Sequence, residues 1–400
     1  MLTRKVANVA VIFSVVAMAV ITFVIQWPCR NSGYTDGRYT SMCYSDFAAM
    51  FANPPLAEGA WPFGATNGIN LSPLSSMIAW TISLTPFDFV THVILMQLVL
   101  VAAMMVTVVM IMKLRHWRPL DAAMAALIPV WPFVWFISDD MVSVMFASIS
   151  LWLWHRDKTL LSALALGVGA ASGAWVLVLL VAYWVFEYRQ ENVRNWFSVA
   201  AIALAVPIVL SLPRVLAGQS ILQSGDQTAG EGSILYIWSI VTDSKPGSNM
   251  IITLFGFTLI ALVARWAINL PFDFRLEPLV AVLVVIQLLS SPTIAPQALT
   301  HFLWLIVLVM PRKSFVLGFS IVPIIYVASI WLRFEAGTPN GKGISIELYA
   351  LICIGLWICL IEFARRSMRL LTVQGIDDVM QSLGESMSRK PDLSRIIKAN

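Results

Sequence analysis

Three carboxylates, one imidazole and three cations lie at the edges of long apolar blocks in this sequence. Asp46 closes the run Cys43-Tyr44-Ser45-Asp46, Asp139 and Asp140 form an acidic pair, and His301, Arg38, Arg214 and Lys245 stand in or beside other polar stretches. A carboxylate can take a proton from a hydroxyl, and cations can receive a phosphate. An acidic pair at a membrane edge can orient a sugar or hold a cation. Each residue also has a plainer reading. Asp46 suits the N-cap of a helix from Phe47 onward, and Asp139-Asp140 the cap of the next apolar helix. Arg214 suits a snorkelling side chain, and His301 a satisfied interfacial residue. Arg30 and Arg333 read as surface groups and His92 as structural.

The elements that carry these residues are hydrophobic. The chain has 400 residues, 59% hydrophobic and only 12% charged, with a mean hydropathy of +0.81. A soluble domain carries roughly twice that charge fraction. Apolar blocks separated by short polar clusters need a solvent that accepts apolar surface, which points to lipid and an all-α bundle. Trp27, Trp61, Trp117, Trp196 and Trp331 mark block edges, as in an interfacial belt. The net charge of +4 comes from basic residues scattered between blocks, which argues for membrane topology and against nucleic-acid binding. No Walker loop, zinc spacing, Rossmann glycine run or Gly-x-Ser-x-Gly elbow occurs.

Arg4 and Lys5 put the N-terminus inside, and the first block, Val6 to Gln26, reads as a retained span because no small-x-small site precedes Trp27. Later spans are expected at 88–113, 120–137, 141–154, 196–217, 249–269, 276–289, 314–333 and 346–364, with one more ending at Arg312. Residues 160–187, broken at Ser172-Gly173, read as a hairpin of two short helices. The total is about twelve spans with both ends cytoplasmic. Residues 71–85 are too short to span and read as a juxtamembrane or re-entrant helix. Residues 1–364 thus form the transmembrane domain, and 365–400 a cytoplasmic tail. Its Ile376, Val379, Met380, Leu383 and Met387 fall at helical spacing, suiting an amphipathic helix on membrane lipid or a docking site for a protein partner.

Cys29 and Cys43 share the first outer loop, where a disulfide is permitted and expected; Cys353 and Cys359 read as small apolar residues.

A first span, then Ser45-Asp46-Phe47, then Trp61-Pro62-Phe63 and a helix led by Pro73, resembles the opening of GT-C glycosyltransferases. The nearest likeness is to glycosyltransferase family 87 and its actinobacterial relatives, which include polyprenol-phosphate-mannose-dependent mannosyltransferases. Ile137-Ser138-Asp139-Asp140 resembles that family's Asn-x-Asp entry to a central span, Leu164 to Leu180 its Gly-rich broken hairpin, and Ser291-Pro292 … His301 … Trp304 its late loop. Gly173 stands where the family usually carries a Lys, Leu71-Ser72 where an acidic residue often precedes the Pro-led helix, and His301 comes about three residues late relative to the Ser-Pro pair.

The resemblance implies a GT-C-like fold and transfer of a sugar, mannose for this family, from a polyprenyl phosphate to an extracytoplasmic envelope glycan or glycolipid. A glycosyl phosphate has a good leaving group, so a base for the acceptor hydroxyl and cations for the phosphate suffice. Asp46 takes the role of base. Arg38, Arg214, Lys245 and His301 take the phosphate side, and Tyr44, Asp139 and Asp140 the acceptor or sugar. No cofactor is required, although the acidic pair leaves room for a divalent cation. Two other readings stay open: a non-catalytic relative that binds an envelope partner or lipid, and a transporter or lipid flippase. The last would carry internal repeats and charges within spans. One outer-facing pocket of several hundred Å³ is expected, lined by Asp46 and at least one of Asp139, Asp140, Arg214 and His301.

Overall fold

A computed structural model describes residues 2–35, 37–52, 56, 59–63, 72–115, 119–218, 229–245, 247–271, 274–338 and 343–388, with side chains from 5 to 372. The chain is 76% helical, without a strand among the described residues. The helices are α1 (Leu2–Ile25), α2 (Trp27–Asn31), α3 (Asp46–Phe51), α4 (Pro73–Ser83), α5 (Phe89–Leu114), α6 (Asp121–Ala126), α7 (Trp131–Val134), α8 (Asp140–Trp154), α9 (Thr159–Ala170), α10 (Val178–Arg189), α11 (Val193–Leu216), α12 (Ile234–Val241), α13 (Asn249–Ile268), α14 (Leu276–Leu289), α15 (Thr300–Val309), α16 (Lys313–Ala336) and α17 (Ile346–Ser388).

Six of these, α1, α5, α11, α13, α16 and the first part of α17 (Ile346–Thr372), are long and apolar enough to cross a membrane. Their free faces are apolar: Val9, Phe13, Phe257 and Ile358 are each more than 60% exposed. Such a surface is stable against hydrocarbon and not against water, so the protein is membrane-embedded. Two of the shorter helices sit inside. All ten residues of α15 are buried, and so is most of α14. Fourteen residues of α14 rise only about 21 Å, short of a hydrocarbon core of about 30 Å. Short helices with polar turns are tolerated at that depth because protein, not lipid, surrounds them.

Residues 120–137 correct one expectation. They run back along α1 from the Leu114 end to the Asp140 end, but not as one helix. Pro129 and Pro132 interrupt the pattern, leaving α6 and α7 joined by a turn. The hairpin at 160–187 is present as α9 and α10, parted by a turn at 171–173 and a short 3-10 stretch (Ala174–Leu177). Residues 73–83 form an 11-residue helix, which at about 16 Å is too short to cross. At the other end, α17 runs as one helix from Ile346 to Ser388, across the boundary expected after residue 364. The side chains of Ile376 to Met387, and all of 389–400, lie outside the described residues.

The first loop is tied down from two sides. Cys29 and Cys43 form the expected disulfide, with Cα atoms 6.0 Å apart. Arg30, expected at the surface, instead reaches inward: its guanidinium donates to Gln97 Oε1 at 2.7 Å and packs over Phe23. Gln97 in turn donates to Gln26 Oε1 at 2.8 Å and lies 3.3 Å from the Tyr34 hydroxyl. Gln97 and Gln26 are buried, so this network settles polar groups that would otherwise be costly among apolar helices.

Candidate functional site

The disulfide loop delivers its last residues onto the start of α8. The Asp46 backbone N–H donates to Ile137 O at 2.8 Å, and Ser45 Oγ donates to Phe136 O at 3.0 Å. These two bonds set Asp46 beside Ser138-Asp139-Asp140, some ninety residues further along the chain. Asp46 is the first residue of α3, and Ser45 occupies the N-cap without a capping bond from its side chain. The Asp46 carboxylate is engaged elsewhere, by the Tyr44 hydroxyl.

Asp139 likewise stands at the N-cap of α8 without capping it. It accepts Ser72 Oγ at 2.6 Å and Ser75 Oγ, both from the start of α4. The α4 backbone also meets the hairpin turn, where Leu74 N–H donates to Ala171 O at 3.3 Å. Asp140 accepts Ser138 Oγ at 2.6 Å and faces His301 Nε2 at 2.8 Å. Burial pushes the Asp46 carboxyl up to about 6; the Tyr44 hydrogen bond opposes this, and the charges of Asp140 and Asp139 add to it. Burial and then Asp140 raise Asp139 to about 6, against the two serine bonds. Burial also raises the Tyr44 phenol, which therefore stays protonated and donates to Asp46.

Aromatic rings line the other side of Asp46. Tyr39 stacks on Tyr44 with centroids 5.8 Å apart and on Trp331 at 6.0 Å, and Arg38 lies over both tyrosines at 5.0 and 5.7 Å. Arg38, Tyr44, Ser45, Ala48 and Phe89 contribute to a cavity of about 150 Å³. This is smaller than the pocket expected from sequence, and the Asp46 side chain is not part of its wall. A larger cavity of about 480 Å³, lined by Tyr188, Arg189, Glu191, Val193 and Ile268, lies at the opposite end of the bundle, remote from the carboxylates.

The structure thus gathers Asp46, Tyr44, Asp139, Asp140 and His301, with Arg38 against Tyr44. Arg214 is buried at the same end: Thr159 meets Asn195 at 3.4 Å and Gly167 fits against Val206, so α9 and α11 run parallel and Arg214 is level with the turn after α9. Lys245 is exposed in a loop whose backbone bonds, from Ala229 to Gly247 and Gly230 to Pro292, lead to the 292–294 turn. Among the described residues no three His, Cys, Asp or Glu side chains group as a metal site.

Sequence reasoning missed Ser72, Ser75, Ser143 and Trp175. The hydroxyl-rich start of an apolar helix, Ser72-Pro73-Leu74-Ser75-Ser76, was a usable signal for the first two. Trp175 stacks on His301 from another helix pair, a contact no local spacing encodes. Comparison with protein-family models, curated proteins and solved structures finds no match to this chain.

Proposed function

We propose that the protein is a membrane glycosyltransferase that moves a sugar from a polyprenyl-phosphate donor to an envelope glycan or glycolipid, with mannose the sugar that the family resemblance names. In this reading the chain passes the membrane about twelve times, α6 and α7 together making one broken pass. Both termini are cytoplasmic, and the Asp46 end faces outward. The observation that carries the proposal is the meeting of Asp46 with Asp139, Asp140 and His301 through contacts between distant segments. A carboxyl near 6 is a competent base at neutral pH, since it is mostly ionised yet basic enough to draw a proton from a hydroxyl. Asp46 takes the acceptor proton as the acceptor oxygen attacks the anomeric carbon, and the sugar–phosphate bond breaks toward the cationic side. Arg38 and His301 stand for that side, and the Tyr39–Tyr44–Trp331 stack offers aromatic surface to an acceptor ring.

The second reading, a non-catalytic scaffold, is favoured by the cavity of about 150 Å³, below the roughly 300 Å³ of an ordinary ligand pocket. Purified full-length protein in proteoliposomes, given labelled polyprenyl-phosphate mannose and an envelope glycolipid fraction, separates the two. The glycosyltransferase reading expects label in the acceptor, and a loss of roughly 10²–10⁴-fold in Asp46→Asn. Full transfer by that variant would remove Asp46 as the base. Folded protein that transfers nothing from any polyprenyl-phosphate sugar would leave the scaffold reading.

A further inference from the structure

His301 is held on three sides. Its Nε2 faces Asp140 Oδ1 at 2.8 Å. One ring face lies on Trp175, with centroids 4.2 Å apart and planes 19° from parallel. Its carbonyl accepts Trp304 Nε1 at 2.8 Å. Trp175 is itself fixed: Nε1 donates to Ser143 Oγ at 2.8 Å, and Ser143 Oγ donates to the Asp140 carbonyl at 2.6 Å. The circuit closes on the same residue that holds the imidazole. Gly173 leaves it room, since a Cβ there would come within 3.0 Å of Trp175 Cδ1 and 3.1 Å of Ser143 Oγ. The fourth edge of the ring is different. Nδ1 is buried and has no hydrogen-bond partner among the described residues, in a residue only 6% exposed. A buried polar atom left open costs stability unless water or a ligand meets it.

We infer that Trp175 and Ser143 are positioning residues that act through His301, fixing its ring so that Nδ1 presents to a phosphate oxygen of the ligand. This rests on the glycosyltransferase reading only for the source of the phosphate. With Nε2 bonded to a carboxylate, Nε2 carries the hydrogen in the neutral ring, and Nδ1 is the position where a second proton is gained. A ring pinned by a stack and by Asp140 cannot turn this atom away. The imidazolium form then donates from Nε2 to Asp140 and from Nδ1 to the phosphate.

The chain has four histidines, few enough for a direct reading of each ring. Full-length protein with 15N-labelled histidine in nanodiscs, with His301 assigned by its absence in His301→Asn, reports which nitrogen carries hydrogen. Wild type and Trp175→Phe, which keeps the stack, are expected to show His301 with Nε2 protonated; Trp175→Ala is expected to show the two tautomers averaged. Farnesyl phosphate is expected to shift the Nδ1 resonance in wild type, and inorganic phosphate alone to shift it only at higher concentration if the lipid chain contributes. Equal response to both probes at equal concentration assigns the site to the phosphate group alone and still supports the inference. In the transfer assay Trp175→Ala is expected to lose roughly two- to tenfold in kcat/KM, with Trp175→Phe near wild type. An unchanged Nε2-protonated ring in Trp175→Ala, or an Nδ1 resonance blind to both phosphates, would overturn it. Nδ1 shifts without any sugar transfer would instead sink the glycosyltransferase reading and leave the positioning intact.

Discussion

Arg115 and Asp121 meet at 3.0 Å at one end of the bundle, where Glu277 also accepts Arg275 at 3.4 Å and faces His155 at 3.5 Å. At the other end Asp46, Asp139 and Asp140 are held together, and the ion pair found there among the described residues is Asp140 with His301. Both ends put charge near lipid, where it is costly. The first end pairs Asp121 and Glu277 with bases, as a fold selected for stability would do, while the buried Glu187 there accepts Asn195 Nδ2 at 3.0 Å. The second keeps three acids close, with Asp46 and Asp139 pushed toward protonation by burial and by neighbouring carboxylates, Asp140 foremost. Like charges gathered against their own repulsion are what the proposed function would call for at this end.

The contrast can be broken at either end. Asp121→Asn leaves Arg115, 5% exposed, without its carboxylate and is expected to cost about 3 kcal/mol. Thermal unfolding in detergent would show this, while transfer per folded molecule stays unchanged; a loss of transfer without a loss of stability would erase the distinction between the ends. Replacing Cys29 and Cys43 together by Ser opens a loop of 14 residues' separation and is expected to cost about 2–3 kcal/mol. Here activity should fall with stability, because the loop carries Asp46. Smaller effects come from pH. If Asp46 is the base, the rate falls about tenfold per pH unit below about 6, and Tyr44→Phe moves that limb to higher pH because the lost hydrogen bond was lowering the carboxyl. A pH–rate profile flat from 5 to 8 would remove Asp46 from the chemistry. The same shifts carry a stability sign. Asp46 and Asp139 bind protons more tightly in the native state than in the unfolded chain, so they make stability fall as pH rises from about 4 to about 6.

Much of this was legible from residue order. Long apolar blocks gave the six long helices, Ser172-Gly173 gave the hairpin turn, and two cysteines in one loop gave the disulfide. The break in residues 120–137 was written in Pro129 and Pro132, but block hydropathy averages over such interruptions. Arg30 was misplaced because its partner, Gln97, lies 67 residues away; a lone Gln inside an apolar block was the signal. The sequence suggested the carboxylates as a group through the resemblance and through the cost of leaving charge near lipid unmatched. Their actual joint, Ser45 and Asp46 bonded to Phe136 and Ile137, is a tertiary contact without a local pattern. The same holds for Trp175 over His301 and for the small size of the neighbouring cavity, both of which depend on how helices pack.

The central claim is that the acidic end is kept for function and not for stability. One preparation of Asp46→Asn, measured both for unfolding temperature and for sugar transfer from polyprenyl phosphate, tests it most directly. The account predicts an unfolding temperature equal to or above wild type at pH 7, because a buried charge beside two others has been removed, together with transfer reduced at least 100-fold, the lower end of the roughly 10²–10⁴ range for a general base. A variant that unfolds several degrees earlier yet transfers sugar at the wild-type rate would contradict it, and would make Asp46 a structural residue.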